Sequence, residues 1–390
     1  MALPRFSDEY GRLPGYALAD IPAVLEGLRA RGIDVLDMGA GDSNLPPPPG
    51  AVAALRDAAT DATYSRYAFQ AGLPELRNGI ASWMEKRFGV LLDPARNVLP
   101  LLGSKEGIAK LPLAFVGPGD RAIVPDPGYS AYAGGVILAG GDPYRVPLRP
   151  ENGFLVPLDE LSSGVLERAK LLYLNYPNNP TTAVASRGYL QEAVDLCRSF
   201  DLVLVYDLAY SELAFDGYRP PSILEVDGAE EVALEFHSFS KTFNMTGWRL
   251  GWAAGGADLI GVLTRIKTFM DTGPFLAVQA AGAAALEDYD QWVPGNVERF
   301  RRRRDAVVEA LRGEGFEVEA PRATMYVWVP LPGGWKGEEF ARHALEEEGV
   351  VILPGSALGR GGEGFFRIAL TLPEDRLREG AARLGRLLQS

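Results

Sequence analysis

The chain has 390 residues and a formal net charge of −12 at pH 7, with 47% hydrophobic and 23% charged residues. This composition is ordinary for a globular protein, and the length predicts two or three domains. The negative charge argues against general nucleic-acid binding, because phosphate recognition depends on a positive surface. No apolar run approaches the roughly 18 residues that span a bilayer, and the N-terminus carries several charges, so we expect an untargeted cytoplasmic protein without a membrane segment.

Cysteine and histidine are scarce, which limits the possible chemistry. One cysteine, Cys197, cannot form an intrachain disulfide or a thiolate cluster, and its apolar helical surroundings predict a buried side chain. The two histidines, His237 and His343, are too few for a His-rich metal site, so we predict no metal. A residue other than histidine is therefore expected to transfer protons if the protein is an enzyme.

In chain order, the prolines at residues 46–49 predict an extended connector after an N-terminal arm. Short apolar runs then alternate with helical patterns, which is typical of a parallel sheet covered by helices on both faces. Strands are predicted over residues 121–124, 171–175, 202–206, 233–236 and 249–253. One intervening helix is predicted over residues 188–200, where apolar residues recur at intervals of three and four.

From about residue 291 the pattern changes to that of a small α+β domain. A long charged helix is followed by two predicted strands within residues 315–329, a helix, a strand over residues 365–370 and a closing helix from Pro373. The predicted domains are an arm with part of the small domain (1–45), a large domain (46–290) and a small C-terminal domain (291–390).

Polar side chains follow three of the predicted strands. In open parallel sheets, ligands bind beyond the carboxyl ends of the strands. Each residue alone has an ordinary structural interpretation, such as a helix cap, a turn or an exposed lysine. Together they indicate a ligand site that contains amide, carboxylate, phenol, hydroxyl and amine groups. The residues are Asn175, Asn178, Asn179, Asp207, Tyr210, Ser238, Ser240 and Lys241.

Two cations, Lys241 and Arg249, lie among aromatic and small residues typical of an interior. A buried cation needs a partner or a chemical role, because without one it loses its proton or destabilises the fold. Gly103 and Ser104 open an apolar helix, and such a start favours an anion such as phosphate, with a plain Ser cap as the alternative. Residues 359–364 match the G-x-G-x-x-G spacing but precede a strand, so we predict a flexible loop there.

A strand-end lysine, a carboxylate on a neighbouring strand and a phosphate-ready helix start are groups that pyridoxal 5′-phosphate requires. On these residues the sequence resembles the class I/II aminotransferases of the fold-type I pyridoxal-phosphate enzymes over nearly its whole length. Residues 238–249, Ser-Phe-Ser-Lys-Thr-Phe-Asn-Met-Thr-Gly-Trp-Arg, are similar to the cofactor-lysine signature of that family. Residues 103–108, 124–129 and 210–221 resemble its LL-diaminopimelate and aspartate aminotransferase branch.

The resemblance implies an α/β fold with a mainly parallel seven-stranded sheet and a smaller α+β C-terminal domain. It also implies that Lys241 holds the cofactor as a Schiff base and then moves the substrate proton. Asp207 would keep the cofactor ring nitrogen protonated. Tyr210 and Asn179 would bond the phenolic oxygen, and Tyr129 would stack on the ring.

The remaining implied contacts concern the phosphate and the substrate. Arg367 would bind the substrate α-carboxylate, for which a planar guanidinium is suited. Tyr67 would reach the phosphate of a neighbouring subunit, which implies a homodimer with shared sites, while Gly41, Tyr16 and Asn179 would approach the substrate. The residues implied around the phosphate are Ser104, Lys105, Ser238, Ser240 and Arg249.

One residue departs from the family pattern. The family usually has Asn-Pro-Thr-Gly where this sequence has Asn-Pro-Thr-Thr, ending at Thr182. The geometry of the turn after Asn179 is therefore in doubt, although the contact of Asn179 with the cofactor is not removed.

The expected function is amino-group transfer between an L-amino acid and a 2-oxo acid by a ping-pong mechanism. The branch resemblance favours an acidic or diaminodicarboxylic donor, such as glutamate, aspartate or LL-diaminopimelate, and hence lysine biosynthesis. A carbon–sulfur β-lyase with the same cofactor is the alternative, and a non-enzymatic ligand-sensing relative is a remote one. No second arginine for a distal carboxylate is identified from the sequence, and Lys105 and Tyr16 are the candidates for that contact.

Overall fold

The computed structural model describes residues 4–15, 26–28, 30 and 32–389. The strands of the described residues are β1 (Leu36–Asp37), β2 (Val98–Leu101), β3 (Arg121–Asp126), β4 (Asp142–Pro147), β5 (Ala169–Leu174), β6 (Val203–Asp207), β7 (Ala233–Ser238), β8 (Gly251–Gly255), β9 (Tyr326–Pro330), β10 (Val350–Val351), β11 (Leu353–Pro354) and β12 (Phe365–Ala369). The helices are α1 (Asp8–Arg12), α2 (Pro49–Thr60), α3 (Pro74–Phe88), α4 (Ser104–Lys110), α5 (Pro112–Phe115), α6 (Ser130–Leu138), α7 (Ser163–Leu166), α8 (Arg187–Ser199), α9 (Ala229–Val232), α10 (Phe239–Thr242), α11 (Ala257–Thr268), α12 (Leu276–Glu287), α13 (Tyr289–Gly313), α14 (Gly337–Glu346) and α15 (Glu374–Arg386).

A seven-stranded sheet forms the larger part of the described molecule, in the order β2-β8-β7-β6-β5-β3-β4. The central strands pair in parallel, whereas β8 is antiparallel to both of its neighbours. On β5, Leu171 and Tyr173 pack into one apolar cluster, and Leu172 and Leu174 pack into another on the opposite face. Because both faces are covered, the residues of these strands are nearly all buried, and β5 and β6 are mainly apolar, whereas β7 also contains buried polar residues.

The five predicted strands of the large sheet are all present, with ends shifted by up to two residues. The strand predicted over residues 249–253 begins two residues later, at Gly251, because Arg249 has a φ of 55°. The helix predicted over 188–200 is α8, shifted by one residue. Two strands of the large sheet were not predicted. Strand β2 is short and contains Pro100, and β4 is an edge strand with mostly polar or exposed residues.

The C-terminal part contains a three-stranded antiparallel sheet, β11-β12-β9, and α13, α14 and α15 around it. Only one of the two strands predicted within 315–329 is present, namely β9. Phe316 and Val318 are buried in alternation with exposed Glu317 and Glu319, but no strand within the described ranges pairs with this segment. The alternation of apolar and charged residues therefore correctly predicted which side chains are buried, but the predicted strand is wrong.

The N-terminal segment contributes to this smaller part of the protein. Strand β1 pairs in parallel with β10, and Leu36 and Met38 are buried in the apolar cluster of the C-terminal part. The proline connector is shorter than predicted, since Pro49 is already the first residue of α2, a position that suits proline. The domain boundaries after residues 45 and 290 stay predictions.

Two further observations concern the described residues. No helix among them is both long and apolar enough to cross a membrane. Cys197 is buried in α8 as predicted, and burial raises the pKa of its thiol.

Thr182 stands where the family usually has glycine, and its backbone is left-handed, with a φ of 63°. We expect Thr182→Gly to increase the free energy of unfolding by about 1 kcal/mol, because a left-handed conformation disfavours a β-branched residue and suits glycine. Thermal or denaturant unfolding would measure the change. The matched control is Thr181→Gly, which should destabilise the protein, because Thr181 Oγ1 donates to Asn178 Oδ1 at 2.7 Å. A lower stability of Thr182→Gly would contradict this prediction.

Candidate active site

A cavity of about 920 Å³ lies beyond the carboxyl ends of the central strands and is also lined by residues of the C-terminal part. It brings together thirteen of the residues singled out from the sequence: Gly41, Ser104, Lys105, Tyr129, Asn175, Asn179, Asp207, Tyr210, Ser238, Ser240, Lys241, Arg249 and Arg367. Tyr67 does not line it within the single chain and is 71% exposed. Tyr16 lies outside the described residues, although its neighbours Pro14 and Gly15 line the cavity.

Asp207, the last residue of β6, is a buried carboxylate facing this cavity. Its Oδ2 accepts a hydrogen bond of 2.8 Å from the hydroxyl of Tyr132, whereas Oδ1 has no partner among the described residues. Burial raises the pKa of Asp207 to about 6, although the Tyr132 hydroxyl, His237 and the backbone N–H of Ala209 act in the opposite direction. A buried oxygen without a donor is costly, so this carboxylate is prepared for a donor from a ligand.

Lys241 lies one turn beyond β7, in the short helix α10. The side chain of Ser238 caps this helix by accepting from the backbone N–H of Ser240 at 3.2 Å. The half-buried Lys241 directs its Nζ across the cavity and donates to the backbone oxygen of Gly41 at 2.6 Å. Lys241 is therefore a half-buried cation with a backbone oxygen as its partner, and its chemical role stays a prediction.

Arg367, on β12, connects three segments of the chain. Its Nη1 donates to Asn179 Oδ1 at 2.8 Å, and its Nη2 donates to the backbone oxygen of Gly39 at 2.9 Å. The guanidinium carbon lies 4.0 Å from the ring centre of Tyr326, a cation–π contact. Nε has no hydrogen-bond partner among the described residues. The side chain is therefore held in place by two of its five N–H donors, and Nε–H and the second N–H of each Nη are left for a ligand.

Two buried tyrosines lie between Lys241 and Arg367. The hydroxyls of Tyr210 and Tyr326 are 3.4 Å apart, and their rings meet edge to face. Burial opposes ionisation of both phenols. For Tyr326 the positive charges of Arg367 and Lys241 outweigh burial and lower its pKa, whereas burial keeps the pKa of Tyr210 well above its usual value.

The start of α4 forms another wall of the cavity. Gly103 is the N-cap residue with a φ of 79°, and Ser104 is the first helical residue, so the alternative of a plain Ser cap is wrong. The positive φ of Gly103 suits glycine, and a Cβ at this position would lie 2.4 Å from Nη2 of Arg249, so that the arginine side chain would have to move. Arg249 is exposed rather than interior as expected, and its Nη1 donates to the backbone oxygen of Thr246 at 2.7 Å.

Several lining residues were not identified from the sequence. Tyr132 follows Tyr129 by one helical turn, and that spacing was an available signal for it. Tyr326 and Arg145 come from distant parts of the chain without a local signal, and Arg360 lies in the glycine-rich stretch that was predicted only as a flexible loop. Neither histidine is among the described residues that line the cavity, and His237 is buried with Nε2 2.7 Å from Glu235 Oε1.

The buried carboxylate predicts a pH-dependent stability of the ligand-free protein. The folded pKa of Asp207, about 6, lies above the ordinary value of 3.8, so ionisation costs the folded state about 3 kcal/mol once the pH exceeds 6. Asp207→Asn should therefore match the parent near pH 4 and become more stable than it as the pH rises to 7. Denaturant unfolding at both pH values would measure this difference.

The exposed variant Asp57→Asn is the control and should show little change between the two pH values. A constant stability difference between Asp207→Asn and the parent across this range would contradict the prediction, because it would mean that the carboxylate ionises normally in the folded state.

Comparison with known proteins agrees with this geometry. A model of the family described as aminotransferase class I and II matches residues 33–384. The chain is 50% identical over 372 residues to the LL-diaminopimelate aminotransferase of Desulforudis audaxviator, covering 95% of each chain. It is 47% identical over 376 residues to that of Moorella thermoacetica, covering 96% of each.

Among solved structures, a probable N-succinyldiaminopimelate aminotransferase from Thermus thermophilus superposes with a TM-score of 0.90. It is 37% identical, and the match covers 95% of this chain and 99% of the other. The resemblance stated from the sequence and the predicted fold class are both confirmed. The chain belongs to the class I and II aminotransferases, enzymes that move an amino group between an amino acid and a 2-oxo acid.

Proposed function

We propose that the protein is a pyridoxal-phosphate-dependent aminotransferase that takes LL-diaminopimelate, or a similar acidic amino acid, as its amino donor. The observation that carries the cofactor is that one cavity is lined both by Lys241 and by the buried Asp207, whose Oδ1 has no partner among the described residues. The donor is proposed from the names of the curated relatives at 50% and 47% identity. A role in lysine biosynthesis in the cytoplasm belongs to the same proposal.

The residues present fit the proposed cofactor. A protonated ring nitrogen would donate to Asp207 Oδ1 and compensate the burial of its charge. Tyr129 would stack on the ring, and Tyr210 and Asn179 would bond its phenolic oxygen. The phosphate would lie at the Gly103 turn, among a set of hydroxyl and cationic groups. That set consists of Ser104, Lys105, Ser238, Ser240 and Arg249.

When bound, the cofactor supplies an aldehyde that combines with amines and a ring that withdraws electrons from the substrate α-carbon. The amine of Lys241 would hold the aldehyde between turnovers and move the proton at the α-carbon. Asp207 would stay ionised beside the ring N–H. Arg367 would bind the α-carboxylate through a planar pair of N–H groups and so orient the α-carbon toward Lys241.

We expect the purified protein to transaminate LL-diaminopimelate with 2-oxoglutarate, and Lys241→Ala to reduce kcat by about 1,000-fold or more, because that variant lacks both the covalent attachment and the base. A coupled assay of glutamate formation would measure both proteins.

The matched control is Lys336→Ala, which removes an exposed lysine outside the cavity and should keep the parent rate. Transamination by Lys241→Ala at the parent rate would refute the mechanism. Release of pyruvate and ammonia from a cysteine-type donor without any 2-oxo acid would instead favour the lyase alternative.

A homodimer with shared sites is part of the proposal. Exposed apolar side chains cluster where residues 67–70 meet residues 271–273: Gln70 Nε2 donates to the backbone oxygen of Asp271 at 2.7 Å. Phe69 and Phe269 are 68% and 85% exposed in the single chain, and Tyr67 lies beside Phe69. An exposed apolar patch of this kind is typical of a protein interface, and a second copy would bring Tyr67 to the neighbouring phosphate.

Phe269→Asp should shift the protein from dimer to monomer and reduce its activity, because a charge at the centre of an apolar interface must be desolvated on association. Sedimentation velocity would measure the oligomeric state. Leu91→Asp is the matched control, since Leu91 is 77% exposed but lies outside the patch, and it should leave the dimer intact. A monomeric parent with full activity would exclude shared sites.

A further inference from the structure

The cavity has an excess of positive charge, although the whole chain carries a net charge of −12. Two of its lining residues, Asp126 and Asp207, are carboxylates. The cationic lining residues are more numerous: Lys105, Arg145, Lys241, Arg249, Arg360 and Arg367. A concave site with this excess concentrates anions, and more than one anionic group can be bound there.

The proposed function assigns most of these cations. Arg249 and Lys105 would neutralise the phosphate, Lys241 would hold the cofactor, and Arg367 would bind the α-carboxylate. Arg145 and Arg360 remain, and neither guanidinium has a hydrogen bond or ion pair with another residue of the described ranges. We propose that Arg360 and Arg145 form the subsite for the second carboxylate of a dicarboxylic substrate, an inference that rests on the proposed function.

Backbone contacts hold Arg360 at the edge of the cavity. The N–H of Gly361 donates to Asp126 Oδ1 at 3.0 Å, and the N–H of Gly128 donates to the backbone oxygen of Leu358 at 3.0 Å. A Cβ at Gly359 would lie 2.0 Å from Asp126 Oδ1, so glycine there lets the loop approach the end of β3. The loop is thus attached to the large sheet, while the Arg360 side chain takes no part in the attachment.

Arg145 lies on β4, beside the carboxyl-terminal half of β3. It pairs in parallel register with Val124, so its side chain lies on the same sheet face as Val124 and, two residues further, Asp126. Val124 and Asp126 are about 7 Å apart along the strand, roughly the length of an extended arginine side chain. Arg145 and Arg360 thus line the cavity from two segments that both lie next to the end of β3.

The ligand that fits is a carboxylate at the far end of an amino acid whose α-carboxylate is bound by Arg367. Arginine is suited to this because its planar donors match the two oxygens of a carboxylate. LL-diaminopimelate and L-lysine differ only in the distal carboxylate of the former, as glutamate and glutamine differ in a distal charge. These two pairs of donors separate recognition of the distal carboxylate from all other steps.

The experiment measures the donor half-reaction of the holoenzyme by its absorbance change, so no dicarboxylic acceptor is needed. Arg360→Gln and Arg145→Gln should each lower the second-order rate constant for LL-diaminopimelate about 10- to 100-fold, and leave that for L-lysine within about threefold. Glutamate and glutamine should show the same contrast, and Arg360→Lys should recover part of the loss. The control is Arg378→Gln, which removes an exposed arginine outside the cavity and should leave all four donors unchanged.

The outcomes separate this inference from the function on which it rests. Equal losses for LL-diaminopimelate and L-lysine, or no loss for either, would overturn the assignment of the two arginines and leave the aminotransferase proposal standing. A parent enzyme that reacts equally with both donors would overturn the acidic-donor proposal together with this subsite. A parent holoenzyme without any absorbance change on adding amino acids would overturn the cofactor proposal itself.

Discussion

The site depends on a carboxylate held away from water, and much of the surrounding architecture serves to keep Asp207 in that position. The parallel sheet ends its central strands at one edge, and the close packing of both sheet faces leaves β6 no access to solvent. Tyr132 and the amide of Asn175 then fix the end of the strand, since Asn175 Nδ2 donates to the backbone oxygen of Asp207 at 2.7 Å. One carboxylate oxygen is left unsatisfied by the described residues, so a hydrogen-bond donor from a ligand would be favoured at that point.

The opposite wall of the cavity has a different organisation. Arg367 belongs to the small sheet, yet its donors bind Asn179, which follows β5 of the large sheet, and Gly39 of the N-terminal segment. If Arg367 binds the substrate carboxylate as proposed, that carboxylate competes with contacts that hold these segments together. Substrate binding and the relative positions of the segments would then influence each other.

Much of this could be predicted from the sequence, because apolar runs identify buried parallel strands and ligand groups follow their carboxyl ends. Lys241, Asp207 and Asn179 were found in that way, and all three line the cavity. Edge strands such as β4 gave no signal, since only one face is buried and the apolar run is lost. Phe316 and Val318 gave a false strand prediction, because burial of alternate residues does not require a hydrogen-bonded neighbouring strand.

Other residues of the site could not be predicted, because they are far apart in the sequence from the residues that they contact. Tyr326 and Arg360 reach the cavity from the C-terminal part, and only the packing of the two parts makes them neighbours of Asp126 and Tyr210. Arg249 was expected in an interior but is exposed in the single chain. Burial of the aromatic residues around it does not require burial of its own side chain. Tyr67 has a role only if a second subunit is present, and a single sequence contains no direct record of that contact.

The loop that carries Arg360 is fastened through main-chain groups and glycines, and none of its attachment uses the arginine side chain. Position 360 is consequently free to vary without loss of the loop conformation. If Arg360 recognises the distal carboxylate as proposed, descendants of this enzyme can exchange one amino-acid preference for another by a single codon change, while the groups that perform the chemistry stay under separate selection.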